Sequence, residues 1–114
     1  MRNPSTARVP TTSISFVAKA YTLTVWQVKP GFENEFARRW SEWIEWSHRQ
    51  GLQSDARLLR DIERPTRFVS FGPWETLQAV RSWRRLEGYH ERVARLQEVV
   101  ESFEPETLEL IVEH

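Results

Sequence analysis

Over residues 20–29 the run AYTLTVWQVK is dense in β-branched and aromatic side chains and stops at Pro30-Gly31, a turn signal, which predicts a first strand. Both alternate sets, Tyr21, Leu23, Val25 and Thr22, Thr24, Trp26, Val28, carry apolar weight, so both faces of its sheet are expected to be covered. From residue 33 to residue 50 the period changes. Phe32, Phe36, Trp40, Trp43, Ile44 and Ser47 recur at helical spacing, the opposite face is charged, and Gly51 supplies a stop. Two short strand-like runs follow, residues 56–63 and 67–74, separated by Arg64-Pro65-Thr66, and read as a hairpin. Residues 75–85 predict a second helix with Leu77, Val80, Trp83 and Arg84 on one side. A third helix after Gly88 carries the stripe Tyr89, Val93, Leu96 and Val100. After Pro105, residues 107–112 (TLELIV) read as a closing strand.

Residues 1–19 hold Pro4, Pro10 and scattered Ser and Thr without a sustained period and read as a flexible arm, with Ile14, Phe16 and Val17 available to dock it on a neighbour. The rest, residues 20–114, is expected to be one domain. Its order, β-α-β-β-α-β with the second helix broken at Gly88, is the split βαβ pattern of an α+β, ferredoxin-like fold: an antiparallel sheet with helices on one face. The other face would leave an apolar patch in water, and pairing two sheets face to face removes it, so a twofold homodimer is expected.

Sixteen basic and sixteen acidic side chains cancel to a net charge of zero, leaving no field to gather phosphate backbones or anionic lipid. Neither nucleic acid nor a membrane is expected as a partner. No apolar run approaches the roughly 20 residues of a membrane helix, and a cytoplasmic location is expected. The absence of cysteine removes disulfides, thiolate zinc sites and cysteine nucleophiles. The six tryptophans, Trp26, Trp40, Trp43, Trp46, Trp74 and Trp83, are many for 114 residues, and such rings pack cores, cover interfaces or line flat pockets.

Two Glu-x-x-His pairs, Glu45 with His48 and Glu87 with His90, have di-iron ligand spacing, but Glu45 falls opposite the aromatic stripe and Gly88 interrupts the second pair. Solvated helix faces account for both. No phosphate-binding glycine loop or nucleophile elbow is present. Asp61, inside the apolar run LLRDI, reads either as a half-buried carboxylate with a raised pKa suited to taking a phenolic proton or as the polar side of an edge strand. The arginine runs Arg57, Arg60, Arg64, Arg67 and Arg81, Arg84, Arg85 read as solvated or ion-paired surface. Alternatively, one guanidinium at a pocket mouth could hold a phenolate. Trp26, Phe71, Trp74, Trp83 and Tyr89 lie on elements that converge in this fold and read equally as a stacking pocket for a planar molecule or as packed core.

Three segments in fixed order, VWQVKPGFENEF, SFGPWETLQAVRSW and EGYHERVARL, resemble the antibiotic biosynthesis monooxygenase superfamily, over about residues 20–112. The resemblance implies a dimeric α+β barrel. It also implies a pocket between sheet and helices, used by some members to oxidise polycyclic phenols with dioxygen and without metal or flavin. Trp83 matches a pocket tryptophan of that family. The asparagine that the phenol oxidisers carry four residues earlier is Ala79 here. Of the haem-degrading branch, the strand-one asparagine is Thr24 and the haem-ligating histidine is Val93, which argues against haem. His90 stands about 100° off the Tyr89, Val93, Leu96 stripe.

Trp83, Tyr89, His90 and Asp61 are therefore the candidates for catalysis and proton handling. Thr24, Trp26, Phe71, Trp74 and Trp40 are the candidates for the substrate pocket, and no haem, flavin or metal is expected. Two readings stay open: a cofactor-independent monooxygenase acting on a small aromatic or polyphenolic molecule, or a non-catalytic dimeric module that binds a small hydrophobic ligand.

Overall fold

A computed structural model describes residues 19–51 and 55–114. In chain order the elements are β1 (Ala20–Val28), α1 (Glu33–Arg49), β2 (Arg57–Arg60), β3 (Arg67–Trp74), α2 (Leu77–Arg84), α3 (Tyr89–Gln97) and β4 (Val100–Glu109). The arm expected over residues 1–19 lies, Lys19 apart, outside the described residues. All pairings are antiparallel and the strand order is β2-β3-β1-β4, with β1 in the middle of the ladder. This is the ferredoxin-like α+β fold expected from the element order, with its second helix divided into α2 and α3.

Register and strand alternation sort the side chains into two layers. Opposite Thr22, Thr24 and Trp26 of β1 stand Gly72, Ser70 and Phe68 of β3, and Thr107, Pro105 and Phe103 of β4. This is the helix-covered face, where Trp26, Phe68 and Trp74 are buried. The intervening positions carry Tyr21, Leu23 and Val25 beside Pro73, Phe71 and Val69, all half-buried in the single chain and turned away from the helices.

Each helix start and stop has a local cause. Glu33 and Glu35 sit in the first turn of α1 and His48 and Arg49 in its last, matching charge to the helix dipole. α2 begins later than the 75–85 expected, because the Thr76 hydroxyl accepts the Ala79 N–H at 3.0 Å as an N-cap. Gly88 precedes α3 at φ +94°, a left-handed conformation that opens the break between the two helices, and a Cβ there would come within 3.5 Å of the Trp46 ring. Arg39 on α1 fastens the helix layer, donating to the Arg95 carbonyl and to Glu98 Oε1, each at 2.7 Å.

Two expected strands differ in extent. The closing strand begins at Val100 rather than residue 107 and ends at Glu109, so residues 110–112 fall outside it. Its first half, VESFEP, has two glutamates and a proline, a pattern that fits an edge, where one side of the backbone needs no ladder partner and where charge discourages further pairing. β2 is four residues long, and Asp61 lies beyond it in the connection to β3.

The core runs between the sheet and α1. Phe36 is fully buried, its ring 5.2 Å from Trp26 on β1 and 5.2 Å from Phe68 on β3. Phe36→Ala should therefore cost about 3–5 kcal/mol, the price of emptying a closed aromatic site. Urea unfolding measures this, and a loss under about 1 kcal/mol would mean that the layers close over the gap.

Candidate functional site

Five of the six indoles lie in one aromatic layer under the sheet, each bringing an N–H that must find an acceptor once buried. Hydroxyl side chains on the same layer meet three of them. Trp26 Nε1 donates to Ser70 Oγ at 2.9 Å, Trp74 Nε1 to Thr22 Oγ1 at 3.0 Å, and Trp83 Nε1 to Ser47 Oγ at 2.9 Å. Ser47 in turn donates to the Trp43 carbonyl one helical turn back, at 3.0 Å. The Nε1 atoms of Trp40 and Trp43 are buried without a partner among the described residues.

Trp83 is the hub. Its ring stacks on Trp43 at 5.1 Å and 27°, tilts against Trp74 at 5.0 Å, and meets Tyr89 edge-on at 5.0 Å. These contacts bring α1, α2, α3 and β3 together around two neighbouring spaces that share Thr24, Trp43, Arg84, Tyr89 and Pro105 as wall. The inner chamber, among Trp40, Trp43, Trp74 and Trp83, has a volume of about 50 Å³, room for water but not for a ring system. The outer groove, among Trp26, Arg84, Tyr89, Val93 and Phe103, has about 330 Å³, within the range of small-molecule sites. On its sheet side Trp26 and Phe103 stack at 5.3 Å and 17°.

Of the candidates named from sequence, Thr24, Trp26, Trp40, Trp74, Trp83 and Tyr89 all border these two spaces. Trp83 borders only the inner chamber, so it is both packed core and pocket floor. Phe71 touches the inner chamber beside Ser70 and Gly72, while its register with Leu23 and Arg57 places it on the other face of the sheet. His90 is exposed and stands outside both spaces, edge-on to the Tyr89 ring at 5.4 Å.

Asp61 is a correction. It sits in the β2–β3 connection, where its Oδ1 accepts the N–H groups of Glu63 and Arg64 and its Oδ2 the side chains of Arg64 and Arg67. Burial pushes its carboxyl up. The two backbone N–H groups and the Arg64 charge together outweigh that and hold it below the ordinary carboxylate range, so it caps a turn and does not have the raised pKa expected of a base. Sequence reasoning gave no role to Ser47, Ser70 or Thr22, whose signal was only that they are hydroxyls in helix and strand positions facing tryptophan. Neither Glu-x-x-His pair gains further ligands: among the described residues no group of three His, Asp or Glu is placed to hold a metal ion. No described helix is long and apolar enough to cross a membrane.

An antiparallel sheet covered on one face by helices, with an aromatic groove between the layers, defines an α+β domain of the ferredoxin-like class. The sequence model of antibiotic biosynthesis monooxygenases matches residues 20–95, two thirds of the 114, and the chain belongs to that family. The fold is similar to a variant of SnoaB, a cofactor-independent oxygenase of Streptomyces nogalater. The TM-score is 0.77 at 16% identity, over 85% of this chain and 97% of that one. A conserved protein of Methanosarcina mazei is also similar, with a TM-score of 0.70 at 18% identity over 81% and 92% of the two chains. No curated protein matches in sequence.

Burial pushes the Tyr89 phenol above its ordinary value, and the Arg84 guanidinium, which hydrogen-bonds it, offsets part of that rise. The folded protein thus keeps Tyr89 protonated where the unfolded chain, near pH 10, ionises. The stability this contributes is present below about pH 10 and lost above it. Between about pH 9 and 11 the unfolding free energy of the wild type should fall more steeply than that of Tyr89→Phe. Equal slopes in denaturant titrations would show that the phenol titrates normally.

Proposed function

We propose that the protein is a cofactor-independent monooxygenase that oxidises a small aromatic, phenol-bearing molecule in the outer groove. The observation that carries this reading is the groove itself: a stacked Trp26–Phe103 pair on the sheet side, with a protonated Tyr89 and a cationic Arg84 on the helix side. Flat rings favour a planar substrate, and the polar pair stands where a substrate oxygen would carry charge. The fold's likeness to SnoaB and the family membership support the same chemistry.

In this reaction the substrate supplies the electrons. A phenolic proton given up to solvent as the ring binds, and regained when product leaves, makes the ring electron-rich in between. A methylene carbon then exchanges its two hydrogens for one atom of dioxygen, and the second oxygen atom leaves as water. The protein binds the ring, keeps bulk water from it and stabilises the developing oxyanion. Tyr89, held by Arg84, serves as hydrogen-bond donor to that oxygen. Oxygen consumption with 1,8-dihydroxyanthrone, which carries both the phenol and the methylene, tests the proposal. Tyr89→Phe should lower kcat by roughly a hundredfold, as removal of one oxyanion donor does. Binding of the ring without oxygen uptake would replace the enzyme with a non-catalytic binding module.

We further propose that the protein works as a homodimer joined through the uncovered face of the sheet. Tyr21, Leu23, Val25, Val69 and Phe71 form its apolar centre, with exposed Leu59 and Leu108 beyond them on the two edge strands. Arg57 and Arg67 flank this centre on the β2–β3 side, and Glu104 and Glu106 on β4. A twofold axis along the strands would set the arginine side of one copy over the glutamate side of the other, covering the apolar area between them. Sedimentation at micromolar concentration should give a dimer, and Leu23→Asp a folded monomer. A monomeric wild type would end this part of the proposal.

A further inference from the structure

Arg84 differs from the other pocket-forming residues in one respect: among the described residues it is the sole formally charged side chain bordering either the inner chamber or the outer groove. The remaining wall is aromatic, aliphatic or hydroxylic. Arg84 is the last residue of α2 and is half-buried, with Nη2 donating to Thr107 Oγ1 on β4 at 3.0 Å and with the Tyr89 phenol as its other partner. Both partners are neutral. Arg38, Arg39, Arg57, Arg64 and Arg67 each have a carboxylate within ion-pair distance, whereas no carboxylate of the described residues pairs with Arg84. A guanidinium carries five N–H groups in a planar fork, and two hydroxyls leave some of them over. Thr107 and Tyr89 fix the direction of the fork in the groove wall, so it is oriented before any ligand arrives.

A half-buried cation without a counter-ion is unfavourable, and a ligand bringing the opposite charge relieves that cost, whereas a neutral ligand of the same shape does not. We infer that the groove is selective for planar aromatic anions, the ring lying against Phe103, which backs onto the buried Trp26, and an oxygen-borne negative charge meeting Arg84. This inference rests on the outer groove being the ligand site. A phenolate or enolate and an aryl carboxylate share the required chemistry, a delocalised oxyanion attached to a flat ring.

Calorimetric titration of the wild-type protein with two matched pairs tests it. The pairs are 2-naphthoate against 2-naphthamide for the carboxylate, and the anion of 2-hydroxy-1,4-naphthoquinone against 1,4-naphthoquinone for the enolate. Each anion should bind about tenfold or more tightly than its neutral partner, as expected for a charge-assisted hydrogen bond. If only one anion shows the preference, it identifies which source the groove serves. Arg84→Gln should abolish the preference while leaving affinity for the neutral compounds within about twofold, and Arg84→Lys, which keeps the charge but loses the fork, should retain a reduced preference. Melting curves of the variants report whether each is folded. If Arg84→Gln does not fold, Arg84→Lys decides the matter: a preference equal to the wild type's would overturn the role of the fork.

A wild type that binds anionic and neutral members of both pairs equally would overturn charge selection and leave the aromatic groove standing. An unchanged preference in folded Arg84→Gln would move the selection to another residue. Failure of all four compounds to bind would overturn both this inference and the ligand site beneath it.

Discussion

The contact on which the site depends is the hydrogen bond from the Trp83 indole to the Ser47 hydroxyl. A buried indole N–H without an acceptor forfeits about 1–3 kcal/mol, so where Trp83 can sit is decided by where α1 presents an oxygen. Ser47 can present one because it relays its own proton to the Trp43 carbonyl, inside the same helix. The relay fixes α2 against α1. With α2 fixed, Trp83 stacks on Trp43, Tyr89 meets its edge, and the next residue, Arg84, is carried into the groove wall. Trp26 with Ser70 and Trp74 with Thr22 repeat the solution on the sheet. A hydroxyl in each of these three places costs little apolar area and makes a dense tryptophan layer possible.

This explains which parts of the molecule were legible in the sequence. β1, α1 and β3 were read to within a residue or so because their apolar periods are long and end at Pro30, Gly51 and Trp74. β4 was read late, since Glu101, Glu104, Glu106 and Pro105 suppress the usual strand signal, and an edge strand paired to β1 alone tolerates all four. Asp61 was misread for a related reason. Its neighbours in sequence are apolar, but β2 ends at Arg60, and what then governs the carboxylate is the turn's N–H groups and two arginines. Periodicity carries no information about such a polar turn.

The aromatic pocket was half legible. Composition pointed to a tryptophan-rich site, and the family's pocket tryptophan drew attention to Trp83. Yet the structure shows Trp83 enclosing a chamber of about 50 Å³, while the larger space lies one layer outward, against Phe103 of the strand that was read short. The two errors are one: with β4 starting at residue 107, nothing stacks on Trp26 and the groove has no outer wall. Arg84 suffered similarly. Among Arg81, Arg84 and Arg85, only Arg84 falls on the side of Leu77, Val80 and Trp83, but its partners Thr107 and Tyr89 are distant or across a helix break, so its direction was not legible.

Strand alternation links this site to the opposite side of the sheet. Trp26 points at α1 because Val25 does not, and the same parity that stacks Phe103 on Trp26 puts Glu104 beside Val25 on the uncovered face. β4 therefore serves two surfaces at once, a groove wall on one side and a charged margin of the apolar face on the other. A one-residue slip in its register would turn Phe103 out of the groove and drive Glu104 toward Trp26. The Gln27/Val28 irregularity, where the pairing shifts between Ser102 and Val100, lies at the end of the ladder next to α3 and leaves that parity intact from Trp26 to Ala20. The position of Arg84 follows from the same register, since Thr107, its anchor, shares the groove side with Phe103 and Pro105. Arg84 thus stands at a point whose geometry is set by the central ladder of the fold.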